Sequence, residues 1–363
     1  MAGGIRMVLA RRIDEHVATP YQNDLDALQR AVRSERDQRV QTKNLVNGSW
    51  VEAGDGATFE VRNPATDEVI AAVPSVGSSE TRSAIGAAHD AGRAWAARTA
   101  GERGTLISGL AGMMRRDTER LARLMTLEQG KPLAESRGEI AYAASFLDWA
   151  AEEGKRLNGD IVPASSADKR ILVLRQPVGV TAIITPWNFP AAMITRKLGP
   201  ALAAGCTVVI KPAEETPLSA IAIAELANEA GIPAGVVNVI TGRPAVIGDA
   251  IFDDDRVRKL SFTGSTEVGR LLMSKASRHL LRLSLELGGH APFIVFDDAD
   301  LDLAVAAAVE CKFRNAGQTC ICANRFYVQG GVYDEFTARF AAAIGALTVG
   351  DGSREGVQVG PLI

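Results

Sequence analysis

The chain has 363 residues, a formal charge of −3 at pH 7, 47% apolar and 23% charged side chains, 35 Gly and 15 Pro. At roughly 150 residues per domain this length asks for about two domains, and the composition excludes disordered and collagen-like chains. The slightly acidic balance offers no general attraction to nucleic acid or an anionic membrane, so neither is expected as a partner.

Residues 1–43 mix acidic and basic groups, among them Arg11, Asp14, Arg33 and Asp37, and read as an N-terminal extension unlike a mitochondrial leader. No apolar run approaches the roughly 20 residues of a membrane span and no signal core is present, so a cytoplasmic location is expected. Four cysteines, Cys206, Cys311, Cys320 and Cys322, are too few for a disulfide scaffold and lack zinc-ligand spacing, so no metal is expected.

From Ser79 to Asn158 small apolar residues recur at helical spacing, and polar clusters at Ala100–Arg103 and Gly130–Pro132 divide about three helices. Arg170–Gln176 predicts an edge or arm strand. Strands and helices then alternate: Val180–Ile184, Ala191–Ala204, Thr207–Ile210, Leu218–Ala230, Val236–Ile240, Pro244–Phe252, Lys259–Phe262, Thr266–Ala276 and Arg282–Leu285. This rhythm predicts an α/β fold, a doubly wound parallel sheet with helices on both faces, over residues 44–286. A second α/β domain is expected over 287–363, from strand Phe293–Phe296, helix Leu301–Phe313, strand Arg325–Val328 and helix Val332–Leu347. It reads as unfinished, because the sequence stops after a Gly-rich loop with nothing to close the second sheet.

Ligands of open parallel sheets bind beyond the carboxyl ends of the strands. The first turn there, Thr185–Pro190, presents the Asn188 amide between two prolines; a simple capped turn accounts for it equally. The second, Lys211–Pro217, sets a cation and carboxylates where a nucleotide ribose would lie, and a carboxylate there favours NAD over NADP; the alternative is that Glu214 and Glu215 serve the next helix dipole. The fourth, Phe262–Gly269, opens a helix with Gly264, Ser265 and Gly269 and suits a pyrophosphate, although the usual glycine fingerprint is absent and a helix cap would look the same. Glu286, flanked by leucines and followed by Gly288 and Gly289, is expected to be desolvated and so suited to general-base work, or else to point outward from its strand.

Cys320 stands in the polar loop Arg314–Cys322, whereas Cys206 and Cys311 have apolar neighbours. An ordinary thiol is largely protonated at neutral pH, so a nucleophilic one needs donors and an adjacent base, for which Glu286 is the candidate. Cys322 reads as a bystander, with a Cys320–Cys322 disulfide as a remote alternative. His16, His89, His279 and His290 lack the context of a cysteine protease.

Taken jointly, PWNFP, KPAEETP, FTGSTEVG, LELGG and GQTCICANR resemble the aldehyde dehydrogenase superfamily in order and spacing, from about Leu45 to the end of the chain. ITPWNFPAAMITRKLGPALAAGC, KFRNAGQTCICANR and ELGGHAPFIVFDDADLD are most similar to succinate-semialdehyde dehydrogenases; His290 departs from the usual pattern. The resemblance implies Cys320 as nucleophile, Glu286 as general base and Asn188 as oxyanion donor beside the Cys320 amide. It implies NAD, with NADP as the alternative, held by Trp187, Lys211, Glu214, Gly264, Ser265 and Gly269, and a substrate carboxylate clamped by Arg196 and Arg314. The expected substrate is succinate semialdehyde, in 4-aminobutyrate breakdown, with glutarate semialdehyde or another small aldehyde as alternatives. Family members continue beyond Pro361 with a Glu-x-Phe segment, further pocket residues and an oligomerisation strand. A homo-oligomer is therefore expected of the full-length family, while this chain is expected to be truncated and poorly active, or a silent dinucleotide-binding fragment.

Overall fold

A computed structural model describes residues 40–363, so most of the extension expected over 1–43 lies outside the described residues. Residues Gln41–Ile363 form one compact unit. It begins with two hairpins that the periodicity did not reveal: β1 (Asn44–Val46) with β2 (Ser49–Val51), and β3 (Thr58–Arg62) with β4 (Val69–Pro74). Asn47 and Gly48 both take positive φ, 50° and 74°, as a two-residue hairpin turn requires. Three-residue strands are too short to display a period of two, which is why this pair was missed.

Four helices follow instead of the three expected: α1 (Ser78–Ala97), α2 (Ala100–Arg116), α3 (Thr118–Gln129) and α4 (Leu133–Glu153). The cluster at Ala100–Arg103 is the first turn of α2 rather than a connection. Thr99 Oγ1 accepts the Glu102 amide at 3.2 Å and Glu102 returns a carboxylate to the Thr99 amide at 2.7 Å, a reciprocal cap. The unforeseen break falls at Asp117, whose carboxylate binds Arg116 at 2.6 Å and Arg120 at 3.3 Å. A short antiparallel pair, β5 (Asp160–Val162) and β6 (Ile171–Val173), then exposes Ile161 and Leu172.

The alternating region contains β7 (Val180–Ile184), α5 (Ala192–Ala203), β8 (Thr207–Lys211), α6 (Pro217–Glu229), β9 (Val237–Val239), α7 (Pro244–Phe252), β10 (Val257–Gly264), α8 (Thr266–Ala276) and β11 (Arg282–Leu287). The sheet order is β11-β10-β7-β8-β9-β1-β2, parallel from β11 to β9, with the β1–β2 hairpin added antiparallel through Leu45 opposite Val239. Alternate side chains enter two cores. Ile183, Val208, Ile210, Val237 and Val239 face the α2–α6 layer, while Ala182, Val209, Leu260 and Phe262 pack with Ala84, Ile247 and Leu272 on the other side.

Beyond Glu286 the chain changes sheet and core within the same unit. β12 (Ala291–Val295) pairs in parallel with β13 (Ala323–Val328), α9 (Leu301–Phe313) and α10 (Tyr333–Gly345) cover them, and Val295, Val305, Ala308 and Phe336 form the buried centre.

Candidate active site

The turns singled out from the sequence lie at the carboxyl ends of β7, β8, β10 and β11, because parallel strands send all such turns to one edge. Lys211 ends β8 almost buried, and its Nζ meets Glu214 Oε2 at 2.5 Å. Ser265 caps α8 by accepting the Val268 amide at 3.2 Å, which leaves the hydroxyl hydrogen free to donate outward. Gly269 is required for packing: a Cβ there would stand 2.6 Å from a Leu287 methyl, so α8 can lie close on β11. A Cβ on Gly264 would run into the Phe262 ring. Trp187 is half-buried in the first turn.

Three buried hydroxyls at this edge, Thr185, Thr216 and Thr263, have no protein hydrogen-bond partner. Buried polar atoms are normally satisfied. Orphan hydroxyls beside a helix N-terminus and a Lys–Glu pair fit a polar, anionic dinucleotide, so these residues are suited to hold one.

Of the two readings of Glu286, the outward-pointing one holds. It is exposed, because strand alternation sends Leu283, Leu285 and Leu287 to the α7–α8 core and sends Arg282, Ser284 and Glu286 the other way. The flanking leucines therefore do not desolvate it. Its carboxylate lines a cavity of about 510 Å³ with Arg196, Lys197, Lys259 and Ser261. Lys197 is the residue the sequence reading passed over. Burial pushes its ammonium down to about 8, with Arg196 adding to the effect and Glu286 opposing it. Its signal was a lysine amid buried positions of α5, where Ile194, Thr195 and Leu198 are all inaccessible.

The other half of the site is the loop before Cys320. Asn315, Ala316 and Gly317 take φ of 52°, 55° and 79°, three successive left-handed residues, which only strong surrounding contacts can maintain. Asn188 Nδ2 donates to the Gln318 carbonyl at 3.0 Å, tying the first turn of the sheet to this loop two residues before Cys320. A Cβ on Gly289 would stand 3.8 Å from the Cys320 carbonyl oxygen, so the chain leaving β11 passes the same loop. Cys320 is half-buried and free, whereas Cys322 is buried, its Sγ 3.6 Å from Lys312 Nζ; no disulfide joins the two.

The two arginines of the expected clamp line different cavities. Arg196 stacks on Phe146, 5.3 Å from the ring centre, in the cavity that holds Glu286. Arg314 stacks on Phe189 at 5.0 Å in a cavity of about 640 Å³ with Glu135, Tyr142 and Phe313. Burial pushes the Glu135 carboxyl up, while its hydrogen bond from the Asn315 amide and the charges of Lys131 and Arg314 oppose the shift. No cluster among the described residues could hold a metal ion, and no described helix is long and apolar enough to cross a membrane.

Residues 50–363 match the aldehyde dehydrogenase family. A succinate-semialdehyde dehydrogenase [NADP(+)] of Escherichia coli K12 is 59% identical over 319 residues, covering 88% of this chain and 66% of that protein. A glutarate-semialdehyde dehydrogenase of Pseudomonas putida KT2440 is likewise 59% identical, over 318 residues, with the same coverage of 88% and 66%. The crystal structure of an E. coli NADP dependent enzyme superposes with a TM-score of 0.88 at 58% identity, over 89% of this chain and 67% of that one. The chain thus spans about two thirds, 66%, of the length of these curated relatives.

Proposed function

The chain belongs to the aldehyde dehydrogenase family, and from that premise we propose that it oxidises succinate semialdehyde to succinate with NAD or NADP through a thioester on Cys320. The observation that carries this reading is the 3.0 Å hydrogen bond from Asn188 Nδ2 to Gln318 O, which brings an amide donor to the loop of the reactive thiol.

The Cys320 thiolate adds to the aldehyde carbon, and the resulting oxyanion accepts hydrogen bonds from the Cys320 main-chain amide and from the second hydrogen of Asn188 Nδ2. The coenzyme, when bound, supplies the hydride acceptor. Glu286 takes a proton from the water that cleaves the thioester; its exposure leaves it able to reach water and to release the proton afterwards. Lys211, Glu214, Ser265 and Trp187 are the candidates to bind the dinucleotide, with Gly264 and Gly269 acting through the close packing on Phe262 and Leu287 that sets the start of α8. Because Lys211 already compensates the Glu214 charge at 2.5 Å, this pair does not by itself exclude a 2′-phosphate, so the NAD preference expected from the carboxylate alone is weakened.

Two of the relatives carry names for semialdehydes ending in a distant carboxylate, which suits an arginine at the pocket. Arg314 is the stronger candidate; Arg196 would act from the Glu286 side. A second reading is that the chain binds the dinucleotide without turning over, which the partnerless buried hydroxyls of Thr185, Thr216 and Thr263 support as far as binding goes. Reduced coenzyme formation with succinate semialdehyde separates the two. Under the first reading Cys320→Ala removes activity by about a thousandfold or more; coenzyme binding with no Cys320-dependent turnover selects the second.

A further inference from the structure

Lys131 lies in the turn between α3 and α4 and is only 2% exposed. A buried ammonium is costly unless every hydrogen is used. Here Nζ meets Glu139 Oε2 at 2.6 Å, donates to the main-chain carbonyl of Asn188 at 2.8 Å, and sits 4.1 Å from the centre of the Phe189 ring. A buried ion pair of this kind is frequently no more stabilising than an apolar pair of similar volume, so its surroundings deserve a reading in terms of placement.

The partners of Lys131 all lead to the site. Glu139 Oε1 accepts the amides of Ala191 and Ala192 at 2.9 and 3.1 Å, gripping the start of α5. Glu135 Oε2 accepts the Asn315 amide at 2.8 Å, and Asn315 Nδ2 donates at 3.0 Å to the same Asn188 carbonyl that Lys131 binds. One carbonyl thus receives donors from two separate parts of the molecule. Between them they fix the Asn188 peptide, from which the side-chain amide reaches the Cys320 loop.

We infer that Lys131 is a positioning residue, which sets the Asn188 amide against the Cys320 loop through the Asn188 carbonyl and so aligns the oxyanion donor. This rests on the function proposed above. The role belongs to a residue that never touches substrate, and Asn315 shares it from the opposite side.

Two reactions of Cys320 separate placement from general integrity, and neither requires coenzyme or a semialdehyde. With p-nitrophenyl acetate the thiolate adds to the ester carbonyl, an oxyanion forms, and p-nitrophenolate leaves as the acetyl group remains on Sγ. With iodoacetamide the thiolate displaces iodide and no oxyanion forms. In the whole chain, Lys131→Met with Glu139→Gln, which leaves no lone buried charge, is expected to slow the nitrophenolate burst by up to about a hundredfold, with alkylation unchanged. Adding Asn188→Ala should bring no further loss, because the two changes act through one amide. Asn315→Gly keeps the positive φ and removes the second donor to the Asn188 carbonyl, together with a longer hydrogen bond of 3.4 Å to the Gln318 carbonyl, so it should show the same selective, non-additive loss and decides the matter if the first variant does not fold. An unaltered burst, losses that add to that of Asn188→Ala, or equal losses in burst and alkylation would each overturn the inference while leaving the proposed function standing. Absence of any Cys320-dependent burst in the unaltered chain would remove the proposed function and this inference with it.

Discussion

Arg314 is held over the Phe189 ring with its guanidinium exposed, so its stem is fixed by stacking while its planar fork remains free to pair. Replacing it by Met keeps the stacking bulk and removes the charge. KM for succinate semialdehyde is then expected to rise about 10- to 100-fold, the worth of a charge-assisted hydrogen bond, with little change for an uncharged aldehyde of similar length. Steady-state kinetics on both substrates check this, and equal effects would reject the clamp. At this scale the Cys320 loop and the Asn188 turn were legible as residue types in polar turns, whereas the choice between the two environments open to Glu286 was not. Its neighbours in sequence are leucines, but its neighbours in space are Arg196 and Lys197, because a strand sorts adjacent residues to opposite faces.

Elements in this protein are capped by residues distant in sequence. Glu128, at the end of α3 and fully buried, accepts the amides of Leu218 and Ser219 at 2.7 and 2.8 Å and so caps the start of α6 from 90 residues away. Burial pushes its carboxyl up from 4.5 to about 7, outweighing the two amides that favour the charged form. A carboxyl whose folded pKa is raised contributes stability that is present below pH 4.5 and is lost as pH rises towards about 7. The difference in urea midpoint between the unaltered chain and Glu128→Gln should therefore shift against the unaltered chain across that window; a pH-independent difference would contradict it. Thr99 and Glu102, three residues apart, formed a cap that sequence could have revealed, but Glu128 could not be found that way. Nothing in the local sequence says which helix end a carboxylate will meet.

Across the whole molecule the two sheets are unequally supported. The seven-stranded sheet is packed on both faces by helices, whereas β12 and β13 rest on Val295, Val305, Ala308 and Phe336 with half-buried neighbours. Fewer buried apolar contacts mean a smaller free energy for local opening. Amides of β12 and β13 are expected to exchange with deuterium well before those of β7 and β8, as hydrogen exchange resolved by peptide would show; equal protection would mean that the two regions open as one unit.

Periodicity and turn chemistry determined the alternating strands and helices from Val180 onward, and helices Pro244–Phe252, Thr266–Ala276 and Leu301–Phe313 agree with the structure residue for residue. Joint spacing of the polar turns determined the family. Such signals are carried within a few residues of chain, where local sterics and the alternation of faces act. Only the tertiary structure decided which face Glu286 takes, that Lys197 stands beside it, and that Lys131 and Asn315 converge on one carbonyl of Asn188. These are pairings between segments 57 and 127 residues apart, and burial strengthens them by excluding water after the chain has closed.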